Sequence, residues 1–473
     1  MKWLFESEIE DLKIIFRDTG FILMALGFFA ALPAVVSLLY AEFISAGVFL
    51  VTAFLFIGLG YFFEAGISEE KSGSNKHAVL SVGLTWVIAV LLGSIPFQFI
   101  MRPLDALFES TSGFTSTGFT MMTNVTTVDR GILFWRALEP FLGAVLFIVS
   151  FLALSKSFES DSEIGFKERI RDLAVKVSKV YLAFLFVGVL LFLLSGTTIF
   201  ESFGYSLTSV STGGFSVNGS LAALNNPRAV VVSLLLTVLG SLNVLLIFKV
   251  LEGDVGEILK NAEALGGILL VSFGVLAMQF TQGDFNQEMY HFFSAVTTSG
   301  FMGVDAPTLS SWGEFYKAVL VFAMLIGGSV YSSAGGIKIH RIVVLLKSLY
   351  WRVIALLPDR NIVSKKIHNI EDLVLSDEDI LRVYTYVASF LLLFGVSGLI
   401  VSSYGYPVLD SFFESTSALS NVGLSVGIVS PVMPVGLKIL FIFDMLLGRL
   451  EIMAFIGLII YFTSKLKAVT IGR

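Results

Sequence analysis

Ten apolar runs recur along this chain, near residues 19–40, 42–66, 78–100, 132–155, 177–197, 229–251, 264–281, 314–328, 383–403 and 435–463. They leave it few ways to fold. About 20 apolar residues in helical form cross the ~30 Å hydrocarbon core of a bilayer. No water is available there to pair with the backbone, so a run must satisfy its own N–H and C=O groups, as a helix does. The composition agrees: 55% of the 473 residues are hydrophobic and 14% are charged, which is too apolar for a chain whose surface faces water. An all-α polytopic membrane protein in the lipid bilayer is expected. The formal net charge of -6 says little here, because the placement of charge matters more than its sum. There is no cysteine, and His77, His291, His340 and His368 are scattered. Disulfides and thiol catalysis are excluded, and no Cys/His spacing suits a metal. No nucleophile elbow, Walker loop or GxGxxG after a strand occurs, so neither an enzyme nor a nucleotide-binding chain is expected, and nothing supports nucleic-acid binding. The segment before the first run, MKWLFESEIEDLKIIFRDTG, has acidic residues and no small-residue cleavage site. It reads as an interfacial amphipathic helix rather than a cleaved leader.

Lysine and arginine orient the runs, since positive charge is retained on the cytoplasmic side of short loops. With the amino terminus inside, basic residues cluster inside at 156–179, at 338–382 and at the carboxy terminus. The outside holds Arg102, Arg130, Arg136, Arg228, Lys317 and Lys438, and Arg449 stands alone within a run. Both termini are therefore expected in the cytoplasm.

Under this topology four outside segments share one design. LFESTSGFTSTGF, FGYSLTSVSTGGF, YHFFSAVTTSGF and FFESTSALSNVGL align on Gly118, Gly214, Gly300 and Gly423 without a gap. Three residues before each glycine stands a hydroxyl (Thr115, Ser211, Thr297, Ser420), and six before it another (Ser112, Thr208, Ser294, Ser417). The following residue is Phe119, Phe215, Phe301 or Leu424. Hydroxyls and small residues also let membrane helices pack closely, which accounts for one copy in isolation. Four copies in one register, on one side and each between two runs, form an internal repeat and point to a pore. A cation leaving water must exchange its hydration shell for oxygens, and backbone carbonyls supply them without fixed charge. Glycine permits the turn and keeps the lumen open. The apolar half before each glycine is too short to span and suits a re-entrant helix whose carbonyl end faces the cation.

These residues resemble the Trk/Ktr/HKT superfamily of potassium transporters, and within it the TrkH-type pore subunits. The stretches MLIGGSVYSSAGGIKIHR (Met324 to Arg341) and MLLGRLEI (Met445 to Ile452) belong to the likeness, as do two extra spans before the repeats. The resemblance implies ten spans and four helix/pore-loop/helix repeats in pseudo-fourfold arrangement around one path: a two-helix domain at 1–70 and repeats at 71–160, 161–255, 256–365 and 366–473. It implies potassium uptake across the cell's inner membrane, K+ as the transported ion, and no organic cofactor in this chain. The selectivity filter would comprise Thr115, Ser116, Thr117 and Gly118; Ser211, Thr212, Gly213 and Gly214; Thr297, Thr298, Ser299 and Gly300; and Ser420, Asn421, Val422 and Gly423. No TVGYG strand is present, and Asn421 and Val422 break the hydroxyl pattern, so potassium preference is expected and strict exclusion of sodium is not. Gly118, where sodium-transporting relatives carry serine, suggests potassium.

The eighth run breaks at Gly327, Gly328, Ser332, Ser333, Gly335 and Gly336, after about 22 Å of helix. An ordinary helix end is one reading; the resemblance implies an intramembrane gate below the filter. Arg449 is costly within a span and marks a cavity, a pathway or an ion partner. Asp444 and Glu451 lie on other faces of its helix, and the resemblance points its side chain beneath the filter. Arg136 and Glu139, three residues apart, read as a structural pair. Glu109, Tyr205, His291 and Glu414 share one repeat position, either concentrating cations or anchoring pore helices. A TrkA-type cytoplasmic nucleotide-binding regulatory subunit and a homodimer are the partners implied. A proton- or sodium-coupled secondary transporter is the alternative, though such proteins commonly carry inverted repeats.

Overall fold

The computed structural model describes residues 2–65, 75–159, 166–218, 226–281, 283–356, 365–369, 371–450, 452, 455–461 and 463. A helix stands at each of the ten runs. The amino-terminal unit comprises α1 (Lys2–Ala30), α2 (Leu32–Leu39) and α3 (Phe43–Glu64). Next come α4 (Asn75–Gly93), α5 (Pro103–Phe114) and α6 (Arg130–Glu159), then α7 (Phe166–Leu194), α8 (Ile199–Val210), α9 (Pro227–Ser241) and α10 (Val244–Leu251). After the short α11 (Glu257–Lys260) follow α12 (Ala262–Met278), α13 (Phe285–Val296), α14 (Ala306–Ser311), α15 (Glu314–Ile326) and α16 (Ile339–Ala355). An antiparallel hairpin of β1 (Lys366–Asn369) and β2 (Glu371–Val374) precedes α17 (Asp377–Ser403), α18 (Val408–Leu419) and α19 (Val435–Arg449). The hairpin is a small addition to an otherwise helical, polytopic membrane fold.

Six of the described helical segments are long and apolar enough to cross a bilayer unaided. The α9–α10 pair meets the same test only as a broken span, bent by 99°. The remaining runs are occupied by the shorter α12, α15 and α19. Two expectations about continuity change. The first segment is not a separate interfacial helix, because α1 runs unbroken from Lys2 to Ala30. Buried Arg17 and Asp18 meet within it at 3.0 Å, so charge is accommodated without ending the helix. The last run, conversely, is not one helix: α19 ends at Arg449 with Leu450 as its cap, and helix is present again over 455–461.

The 12-residue helices α5, α8, α13 and α18 are each enclosed by three neighbouring helices. Each packs against the helix before it (α4, α7, α12, α17) and the helix after it (α6, α9, α15, α19). The third neighbour closes a circle: α6 packs on α8, α9 on α13, α15 on α18, and α19 returns to α5. Four units of one design thus form a ring, with the carboxy-terminal ends of the short helices converging at its centre.

Candidate functional site

Each short helix ends in the same way. Thr115, Ser211, Thr297 and Ser420 are the C-caps, and the next residue takes a left-handed backbone: Ser116 (φ 55), Thr212 (φ 49), Thr298 (φ 51) and Asn421 (φ 52). The N–H groups of these left-handed residues donate three residues back, to Gly113, Ser209, Ala295 and Ala418, at 2.8–3.2 Å. The N–H groups of Thr117, Gly213, Ser299 and Val422 donate five back, to Ser112, Thr208, Ser294 and Ser417, at 2.7–2.9 Å. This is a Schellman termination, in which glycine usually fills the left-handed place. The cap hydroxyls of Thr115, Ser211 and Thr297 turn back to carbonyls of Thr111, Leu207 and Phe293 at 2.7–2.8 Å, satisfying the helix ends. Ser420 Oγ has no protein partner.

The chain then turns a second time at Gly118 (φ 93), Gly214 (φ 64), Gly300 (φ 68) and Gly423 (φ 94), where positive φ favours glycine. These glycines abut one another in cyclic order. A Cβ on Gly118 would come to 2.8 Å from Gly213 O. One on Gly214 would strike Ser299 O, one on Gly300 Val422 O, and one on Gly423 Thr117 O. Carbonyls of Thr117, Gly213, Ser299 and Val422 therefore alternate with the four glycines around a closed ring.

Behind the ring, one position in each repeat braces the ascending chain. Glu109 accepts from Thr120 Oγ1 (2.9 Å) and Met121 N (2.7 Å), and Glu414 from Ser425 Oγ (2.6 Å), Val426 N (3.0 Å) and Val429 N (2.8 Å). Tyr205 Oη pairs with Ser216 Oγ (3.0 Å), and His291 Nε2 accepts from Gly303 N (3.0 Å). All four side chains are 0% exposed, which makes them anchors rather than a cation-concentrating rim. Arg136 joins this set: its Nε donates to Glu109 at 2.7 Å and its Nη1 to Ser216 O of the next repeat at 2.7 Å. The pairing expected between Arg136 and Glu139 does not form. Glu139 instead accepts from Ser110 Oγ at 2.8 Å.

Beneath the ring lies the segment that interrupts α15. Gly327 (φ 69) caps the helix, Gly336 (φ 76) turns the chain back, and Ser332 Oγ donates to Ser329 O at 2.6 Å. Gly328 packs against Ala334 and Ser241. The segment binds the left-handed residues above it. Thr212 Oγ1 donates to Ser333 Oγ (3.1 Å), and Thr298 Oγ1 accepts from Gly335 N (2.7 Å). Arg449, 1% exposed, completes the arrangement: Nη1 donates to Ser333 O (2.7 Å), Nη2 to Ser116 Oγ (3.3 Å), and its guanidinium lies over the Phe147 ring at 4.4 Å. Asp444 is engaged elsewhere, accepting from Ser397 Oγ at 2.5 Å. The turns at 115–118, 211–214, 297–300 and 420–423 thus meet at the four glycines, the segment from Gly327 to Gly336 touches two of these turns, and Arg449 reaches both that segment and Ser116 from α19.

The fold as a whole is similar to that of a solved protein. It matches the crystal structure of the potassium transporter TrkH from Vibrio parahaemolyticus with a TM-score of 0.82, at 24% identity, over 95% of this chain and 98% of that one. An uncharacterized cation transporter of Methanocaldococcus jannaschii is 29% identical over 94% of both chains. The Trk system potassium uptake protein TrkG of Escherichia coli is 25% identical over 93% of this chain and 96% of its own. Residues 268–465 match the TrkH family model, a cation transport protein. The chain resembles TrkH-type cation transport proteins over nearly its whole length, and its residues 268–465 match their family model. It is thus a multi-pass membrane protein.

Sequence reasoning missed some parts of this TrkH-type site. Gly143, Gly240 and Gly448, on α6, α9 and α19, let those helices close on the short-helix ends: a Cβ would strike the carbonyl oxygens of Phe114, Val210 and Leu419. Their near-constant distance from the ring glycines was the available signal. Pro140, inside α6, packs on Gly213 and accepts from Ser116 Oγ at 3.1 Å. Nothing local in the sequence marks it.

Proposed function

We propose that this chain is the membrane subunit of a potassium uptake system, passing the ion through the four-glycine ring. The observation that carries this reading is the cyclic contact of each ring glycine with the carbonyl of the next repeat. Carbonyl oxygens in a ring replace lost hydration water without trapping the ion on a fixed charge. The carboxy-terminal ends of α5, α8, α13 and α18 point their partial negative charge at the same centre. Thr115, Ser116, Thr117, Gly118 and their counterparts make up the filter, and the segment from Gly327 to Gly336 is its gate, lying across the path on the inner side. Arg449 repels cations from below while the gate carbonyl of Ser333 holds its guanidinium. Opening moves the segment and the guanidinium aside together.

The chain sits in the inner membrane with both termini in the cytoplasm, works as a homodimer, and is controlled by a separate TrkA-type nucleotide-binding subunit. Trk system names among its relatives support that assignment. The four short helices and their turns repeat in parallel, which favours a channel-like path over alternating access between inverted halves. The test is cation flux into liposomes holding the purified protein, comparing potassium, rubidium and sodium with and without a proton gradient. Potassium-selective flux that runs down its own gradient supports the proposal. Flux that requires a proton or sodium gradient would replace it with a coupled transporter.

A further inference from the structure

Helix α9 stops at Ser241 and α10 begins at Val244, with a 99° bend between them. Such a break strands backbone groups that a continuous helix would pair. The other broken element, the segment after α15, takes them up. Ser329 N donates to Ser241 O and Ser333 N to Gly240 O, while Val244 N donates to Tyr331 O, all at 3.1 Å. One carboxylate secures this seam. Glu263, 1% exposed in the first turn of α12, accepts from Val330 N at 2.9 Å on one oxygen and from Asn243 Nδ2 at 3.0 Å on the other. The helix amino terminus favours its negative charge. The Asn243 amide has a fixed orientation, because its Oδ1 accepts from Leu245 N at 2.9 Å as the N-cap of α10.

We propose that Asn243 and Glu263 are positioning residues forming a latch, which holds the intramembrane segment shut against the break between α9 and α10. The inference rests on reading that segment as the gate. Neither residue belongs to the ring, so releasing the latch changes how often the path is open and not which ion it prefers. A displacement of α10 acts on Asn243 and on the Val244–Tyr331 bond together, which makes α10 the lever for the gate.

The polarity of the latch provides the test. Asn243→Asp sets two carboxylates face to face, and Glu263→Gln sets two amide NH2 groups face to face. The double variant N243D/E263Q restores every hydrogen bond with donor and acceptor exchanged: the aspartate still caps Leu245 N and the glutamine oxygen still accepts from Val330 N. The chain has no cysteine, so Ser332→Cys introduces a unique reporter into the buried segment. Reaction of that thiol with a water-soluble maleimide, in protein that remains monodisperse, reads segment release independently of transport. Each single variant should raise labelling and basal potassium flux on the order of tenfold, the population shift that losing one buried charge-assisted hydrogen bond produces. The double variant should return both to the parent level, with potassium-to-sodium preference constant throughout. Labelling that stays low in the single variants, or that stays high in the double variant, overturns the latch. Labelling that follows the cycle while flux does not leaves the latch standing and removes the gate reading.

Discussion

Gly118 has the most room of the four ring glycines. A Cβ there would approach Gly213 O at 2.8 Å, whereas at Gly214, Gly300 and Gly423 it would overlap a carbonyl outright. Substitution at a positive φ costs ~1–2 kcal/mol in any case. Gly118→Ser should therefore yield folded protein with sodium flux raised relative to potassium, read from bi-ionic reversal potentials. Gly300→Ala should abolish flux and lower thermal stability in detergent. Glu414 offers a second test at this scale. Glu414→Ala leaves three donors unpaired, two of them buried, and should cost about 3 kcal/mol, while the salt dependence of flux stays unchanged because the carboxylate is fully buried. The glycine register was readable because one residue type recurs at one place. The left-handed residues two positions earlier were not, since Ser116, Thr212, Thr298 and Asn421 carry no glycine to betray them. They hold that conformation through side-chain bonds to groups distant in sequence, such as Ser333 and Gly335.

Elements were legible wherever apolarity alone decides them, and less so where backbone pairing does. The run over 435–463 is apolar on both sides of Arg449, yet α19 ends at that residue, because hydropathy reports the surroundings of side chains and not the fate of carbonyls. The break between α9 and α10 was invisible for the same reason. No proline or glycine stands at Leu242 or Asn243, and the break is sustained by tertiary partners in the segment after α15. If that segment gates, deleting residues 329–335 should raise basal flux in protein that remains folded. Arg449→Ala should also raise it and flatten its voltage dependence, measured in planar bilayers. Arg449→Lys cannot reach both Ser333 O and Ser116 Oγ with a forked head and should give an intermediate value.

Around the whole molecule, the four repeats are joined unequally. Arg136 ties the first to the second, Lys317 on α15 reaches Asp410 on α18 at 2.7 Å, and Lys438 on α19 pairs with Asp105 on α5. Between the second and third repeats, α9 and α13 leave a cavity of about 710 Å³ beside Val230, Leu234, Gln287 and Tyr290. Removing one partner of a buried ion pair costs about 3–5 kcal/mol, and removing both is far milder. Asp105→Asn should thus lower the melting temperature in detergent more than the double variant D105L/K438M. These seams were beyond sequence reading because their partners lie hundreds of residues apart. The inequality of the repeats also settles a matter of stoichiometry. A ring assembled from four identical chains can carry a given interrupted helix or arginine four times or not at all, and four guanidinium groups could not share the space beneath one ring. Joining the copies in a single polypeptide lets one repeat supply the interrupted helix and another supply Arg449, each once.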